Sequence, residues 1–197
     1  MKTVYLMRHS EPLKPRIINY NDSLQLQNEK WVLTKNGENI AKKKSRKLGK
    51  FDLVIASNYT RAICTAKYFA KDDIYIEEDF GERRFGIKKW EELPKDFYEK
   101  QFTDFNYKIG DGESLNEVIK REWKALKKVL NKMTNEKVLI VGHATATMSL
   151  LTKWCEVGTN EYKFNNKVFF NGKWGLCETF KLDFDDNNNL LNIKNIK

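Results

Sequence analysis

The chain has 197 residues, of which 41% are hydrophobic and 32% charged, and its formal net charge is +9. Recurring phenylalanine, tyrosine and tryptophan supply a real core, which excludes a disordered chain, and no apolar run approaches the roughly 20 residues of a membrane helix. Lysines and arginines are spread along the whole length rather than gathered into one arm, so charge alone does not choose among nucleic acid, a membrane surface and a small anion as partner.

The first element is Thr3-Val4-Tyr5-Leu6-Met7, a short apolar run that reads as a buried parallel strand. Interrupted at once by Arg8, the N-terminal segment is too short to act as a secretory signal. Three scattered cysteines, Cys64, Cys155 and Cys177, form neither a disulfide framework nor a zinc knuckle, and the expected location is cytoplasmic. Thr34 can cap a helix reaching Leu48, with Gly49 at its left-handed end, and the run Lys42 to Lys47 reads as its solvated face.

A second buried strand is expected at Asp52 to Ala56, and Ser57 opens a helix from Tyr59 to Ala70. Ile87 to Gly112 is rich in aromatics without a clear period and reads as an excursion over one end of a sheet, a cap, with a short helix around Trp90 to Lys100. Leu115, Val118, Ile119, Trp123, Leu126, Val129, Leu130 and Met133 form one stripe at helical spacing, which is core. Val138 to Val141 is the third buried strand, followed by a helix from Ala144 to Trp154. Val168 to Phe170 and Lys173 to Leu182 read as a hairpin turned by Asn171-Gly172, with a last strand near Leu190 to Ile196. The alternation of strand and helix predicts an α/β protein, and the lack of repeats or linkers predicts a single domain over 1–197.

His9 and His143 are the only histidines, and each follows a predicted buried strand. Ligands of open α/β sheets lie at those strand ends, so the fold can bring the two rings together. Two histidines without clustered cysteines and without an HExxH-like spacing make a metal centre unexpected. Arg61 falls in the first turn of its helix, where the dipole disfavours a cation; a bound phosphate supplies a reason for it.

Arg8-His9, the segment Ser57 to Ala66 containing Arg61, Glu82 followed four residues later by Gly86, and Gly142-His143 resemble, in order, the histidine phosphatase superfamily with its phosphoglycerate mutase-like fold. Asp111-Gly112-Glu113-Ser114 is similar to the Gly-Glu-Ser of that family, and the likeness spans about residues 3 to 155. It implies a three-layer α/β/α sandwich with a mostly parallel sheet, and a phosphomonoester hydrolase working through phosphohistidine on a small phosphorylated metabolite. His9 would be the nucleophile, with Arg8, Arg61 and His143 around the phosphoryl oxygens and Glu82 as proton donor. No cofactor or metal is implied, and neither nucleic acid nor membrane is expected as a partner. Ser10 replaces the glycine usual after Arg-His, and Ala144 stands where a glycine often follows the second histidine. The asparagine that the family frequently carries further on is missing near Pro15, with Lys14 or Arg16 as substitutes. The alternatives are mutase-type phosphoryl transfer, against which the short cap argues, and a phosphate-binding regulatory module without turnover.

Overall fold

Apolar runs too short for helices and bounded by polar turns become the middle of one sheet. A computed structural model of the protein describes residues 1–15, 22–134, 136–158 and 160–197. Its strands are β1 (Lys2–Arg8), β2 (Leu53–Ala56), β3 (Tyr75–Ile76), β4 (Lys137–Gly142), β5 (Glu156–Val157), β6 (Tyr162–Phe164), β7 (Lys167–Phe170), β8 (Thr179–Phe184) and β9 (Leu190–Asn195). Its helices are α1 (Leu24–Glu29), α2 (Lys35–Leu48), α3 (Thr60–Ala66), α4 (Phe97–Thr103), α5 (Leu115–Lys132) and α6 (Ala144–Leu151). The main sheet runs β3-β2-β4-β1-β8-β9, and β5-β6-β7 form a second, small sheet. Strands β1 to β4 are mutually parallel, while β8 pairs antiparallel with β1 and β9 with β8.

Strand alternation then divides the core. Val138 and Ile140 of β4 join Val4 and Leu6 of β1 under Leu115, Leu126 and Leu130 of α5 and Leu150 and Leu151 of α6. Leu139 and Val141 face the other way, onto Ala41 of α2, Ala62 and Ala66 of α3, and Phe69. Helices therefore cover both faces, and the three-layer arrangement with a mostly parallel sheet is the one expected. Helix α5 has the strongest local support: Ser114 accepts from the Glu117 backbone while the Glu117 side chain accepts from Ser114, a complete capping box.

Four expectations need correction. The helix expected to reach Trp154 ends at Leu151, because the N–H groups of Thr152, Lys153 and Trp154 turn to carbonyls three residues back, at 3.2, 3.2 and 3.1 Å. The helix expected to reach Ala70 ends at Ala66, because Phe51 N–H takes the Phe69 carbonyl at 3.1 Å and Ala70 bridges to Phe51. The helix expected from Trp90 to Lys100 is split into a 3-10 turn, Trp90–Glu92, and α4; Pro94 forces Leu93 into the extended region between them. Asn171-Gly172 does not turn a hairpin. Strand β7 pairs with β6 through Asn165 and Asn166, whose φ values of 49° and 61° make the tight turn. Strand β8 starts only at Thr179, because the preceding segment is committed to packing Trp174 against Phe170 and Phe180 and to its bond from Nε1 to the Tyr162 hydroxyl.

Candidate active site

Register alone assembles the centre of the site. Arg8 lies opposite Gly142 on β4, and Ala56 opposite Val141, so His9, Ser57 and His143 leave three adjacent strands at one level. Backbone bonds continue the ladder past the strand ends: His9 N–H to the Gly142 carbonyl and Ser57 N–H to the Val141 carbonyl, both 3.0 Å. The two imidazole rings stand 5.1 Å apart, and both are buried.

Partners fix the state of each ring. His9 Nδ1 lies 2.6 Å from the Ser10 carbonyl, which can only accept, so Nδ1 carries the hydrogen. Arg61 Nε donates to His9 Nε2 at 3.1 Å, so Nε2 is unprotonated and its lone pair takes that bond. On His143, Nδ1 faces the Arg61 guanidinium at 3.4 Å and Nε2 is 2.8 Å from Ser57 Oγ. Burial, reinforced by Arg61, holds His9 neutral, with its pKa lowered to about 3. Burial and the same guanidinium push His143 well below the usual imidazole range.

Arg61 is the hub. Its remaining reach is taken by the Asn28 carbonyl at the end of α1, and its guanidinium lies between the rings of Tyr59, at 4.6 Å, and Trp31, at 5.6 Å. Arg8 sits beside this hub with Nη1 donating to the carbonyls of Trp174 and Gly175 at 2.9 and 3.2 Å. Its Nε is buried and has no hydrogen-bond partner among the described residues.

Glu82 approaches from the cap side. Its carboxylate accepts from the backbone of Ala146 at 2.9 Å and Thr145 at 3.4 Å, in the first turn of α6, and from Arg83 N–H at 3.0 Å. Burial raises its pKa, against the opposing pull of the Arg83 backbone bond and Arg61. It makes no ion pair with its sequence neighbours. Arg83 is instead buried in the cap, where it donates to the carbonyls of Glu113 and Tyr107 and to the Gln101 side chain and lies over the Phe97 ring; Arg84 pairs with Glu113. All five residues expected from sequence thus lie around one centre.

The cap is pinned by close backbone approach. A Cβ on Gly86 would lie 1.9 Å from the Ile109 carbonyl oxygen, and one on Gly112 would lie 2.6 Å from the Phe85 carbonyl carbon, so neither position accepts a side chain. Beside the site opens a cleft of about 730 Å³ lined by α1 and the cap, including Gln25, Asn28, Arg84, Phe85, Lys88 and Trp90. A smaller recess of about 180 Å³ leads from it past Gln25 and Arg84 to Tyr59 and Glu82.

Sequence reasoning missed Tyr59, Asn28 and the whole of α1. Tyr59 lay within the quoted Ser57 to Ala66 motif. Its ring stacks edge-on to His143 at 4.4 Å, and its hydroxyl receives Gln25 Nε2 at 2.6 Å. Among the suggested substitutes for the missing asparagine, Lys14 lies over Trp31 and Arg16 lies outside the described residues. Among the described residues no group of three or more histidine, cysteine or acidic side chains is arranged to hold a metal, and no helix is long and apolar enough to cross a membrane.

Paired imidazoles at parallel strand ends and an arginine bonded to both gather hydrogen-bonding groups that can receive an anion at one end of the sheet. The sequence model of the histidine phosphatase superfamily (branch 1) matches residues 4–192, and the chain belongs to that family. Solved structures share the fold at low identity. A phosphoserine phosphatase of Entamoeba histolytica in complex with 3-phosphoglyceric acid is 20% identical with a TM-score of 0.70, over 100% of this chain and 98% of that one. A mutant of the same enzyme in complex with phosphoserine is 19% identical with a TM-score of 0.69, over 98% and 97%. A mycobacterial glucosyl-3-phosphoglycerate phosphatase with inorganic phosphate is 15% identical with a TM-score of 0.69, over 100% and 96%. No curated protein sequence is significantly similar to this chain.

Proposed function

We propose that the protein is a phosphomonoester hydrolase that passes a phosphoryl group from a small phosphorylated metabolite to His9 and then to water. The observation that carries this reading is the Arg61 guanidinium hydrogen-bonded to both imidazoles, with the unprotonated His9 Nε2 accepting from it. In the first half-reaction the Nε2 lone pair forms the N–P bond as the P–O bond to the leaving group breaks. The departing oxygen takes the proton of the Glu82 carboxyl. In the second, water gives its proton to Glu82 and its oxygen to phosphorus. The N–P bond breaks, inorganic phosphate leaves, and both residues return to their starting states.

Arg61, Arg8 and His143 are the groups for the equatorial oxygens. An entering dianion offers the Arg61 guanidinium a stronger acceptor than the imidazoles and favours the protonated form of His143. Burial suits Glu82 to its part, because a raised pKa keeps the proton available at higher pH than for an ordinary carboxyl. The cleft of about 730 Å³ is large enough for a modest leaving group. The similar structures that hold phosphoserine and 3-phosphoglyceric acid make small carboxylated phosphates the first substrates to try.

The test is phosphate release from a panel of phosphomonoesters in the presence of a chelator, with isomerisation of phosphoglycerates assayed alongside. His9→Ala is expected to lower turnover by at least about 10⁴-fold. Turnover that survives that substitution, or that depends strictly on magnesium, overturns the reading.

A further inference from the structure

Glu82 lies in neither helix nor strand, so its own chain offers no ladder to hold it. It follows a 3-10 turn, Glu78–Phe80, whose Glu78 carbonyl takes the Gly81 N–H at 2.8 Å; among the described residues the carbonyls of Asp79, Gly81 and Glu82 enter no main-chain bond, and the Tyr59 hydroxyl reaches only that of Glu82, at 3.4 Å. One side chain from outside collects them. Arg121 of α5 donates from Nη1 to the carbonyls of Asp79 at 2.6 Å and Gly81 at 3.0 Å, and from Nη2 to the carbonyl of Glu82 at 3.3 Å. The same guanidinium is held by Glu113, with Nε to Oε1 at 2.7 Å and Nη2 to Oε2 at 3.0 Å. Glu113 also accepts the backbone N–H of Arg84 at 3.0 Å, two residues after Glu82.

We infer that Arg121, oriented by Glu113, is a positioning residue for the proton-donating carboxyl: it fixes the Glu82 backbone so that the side chain meets the first turn of α6. The inference rests on the role proposed for Glu82. The anchor itself is rigid, since α5 is capped at its start and buried along one face. The fork matters more than the charge. Three carbonyls and a carboxylate spread around one planar group can be served by guanidinium, whereas the single ammonium of lysine cannot span them. The Gly-Glu-Ser motif, for which the sequence offered no task, thereby acquires one: Glu113 holds the arginine and Ser114 starts its helix.

A positioning role for the acid leaves a signature that a general structural role does not. An alkyl phosphate needs a proton delivered to its leaving oxygen, whereas p-nitrophenyl phosphate releases a stabilised anion that does not. Wild type, Arg121→Lys, Glu113→Gln and Glu82→Gln are to be assayed on p-nitrophenyl phosphate and glycerol phosphate, with inhibition by inorganic phosphate as a measure of the anion pocket. Glu82→Gln is expected to lose about 10²-fold more activity on the alkyl ester than on the aryl ester. Arg121→Lys should lose roughly 10-fold or more selectively in kcat on the alkyl ester, with phosphate inhibition unchanged, since small misplacements of a reacting group have large rate effects.

Glu113→Gln should move the same way by less, and it serves as the test if Arg121→Lys does not fold. Parallel losses on both esters, or no selective loss in either variant while Glu82→Gln is selective, overturn the positioning role and leave Glu82 as the acid. An unselective Glu82→Gln overturns the acid role and the inference with it.

Discussion

His9, Ser57 and His143 leave adjacent strands whose register is set by backbone hydrogen bonds, with buried apolar side chains on both faces of the sheet. Glu82 and the neighbouring cap stand opposite them and are held by a few side chains that meet main-chain groups: Arg83 and Arg121 donate to carbonyls, and the Glu113 carboxylate accepts the Arg84 N–H. The sheet side positions the two imidazoles and Arg61 with many weak, redundant contacts, and the effects of single substitutions there are shared among neighbours. The cap side concentrates its order in individual charged groups, Arg83 and Glu113 buried and Arg121 half-buried, each with several partners.

Glu82→Gln breaks the comparison most severely. In the wild type kcat/KM should fall as pH rises through the raised pKa of Glu82, because the acid loses its proton, while the His9 limb lies near pH 3. The glutamine variant should lose about 10²- to 10⁴-fold on alkyl phosphates and show no alkaline limb belonging to this group. A pH–rate profile that keeps that limb places the proton donor elsewhere.

Glu122, at the seam between the two regions, sharpens the contrast in stability. Burial raises its carboxyl to about 8, helped by Glu82, Glu113 and Asp79 and opposed by Arg121, and its Oε2 has no hydrogen-bond partner among the described residues. A raised folded pKa stabilises most below the unfolded value near 4.5, and the benefit is lost as pH rises toward 8. Glu122→Gln does not titrate, so thermal unfolding followed from pH 5 to pH 8 should decline less than in wild type. The difference has an upper limit of about 4 kcal/mol by linkage. Parallel declines would mean that Glu122 ionises in the folded protein.

Arg83→Ala tests the cap alone. It leaves the carbonyls of Glu113 and Tyr107 and the Gln101 side chain without their donor, at a cost of about 1–3 kcal/mol. Hydrogen exchange should quicken over α4 while β1 and β4 stay protected, and KM for bulky phosphates should rise more than for small ones. Equal loss of protection in the sheet would show that the two regions unfold as one unit.

The sheet side was the more legible in sequence, for the same physical reason that makes it robust. Apolar runs such as Val138 to Val141 announce buried strands, and a histidine directly after such a run is carried to the strand end by the topology. The five expected site residues follow from that and from motif order. The cap was not legible because its order depends on Arg83 and Arg121 finding carbonyls 24 to 42 positions away, which no local period encodes. Asn171-Gly172 misled because a turn dipeptide states local preference only; Trp174 and its aromatic neighbours decided where that chain went. Helix α1 went unnoticed because a segment of six residues is too short to establish a period, although its Asn28 carbonyl caps Arg61.

The bond from His9 Nδ1 to the Ser10 carbonyl bears on how long a phosphorylated intermediate survives. A phosphoryl group placed on Nε2 while the opposite nitrogen keeps its hydrogen makes the ring a cation, and a neutral imidazole is a far better departing group than an anionic one. The main-chain oxygen stabilises that cation while it lasts and remains bonded when the ring is released. In the reaction proposed above, the covalent adduct would therefore be made labile by a peptide carbonyl, a group that substitution of the residue's side chain does not remove.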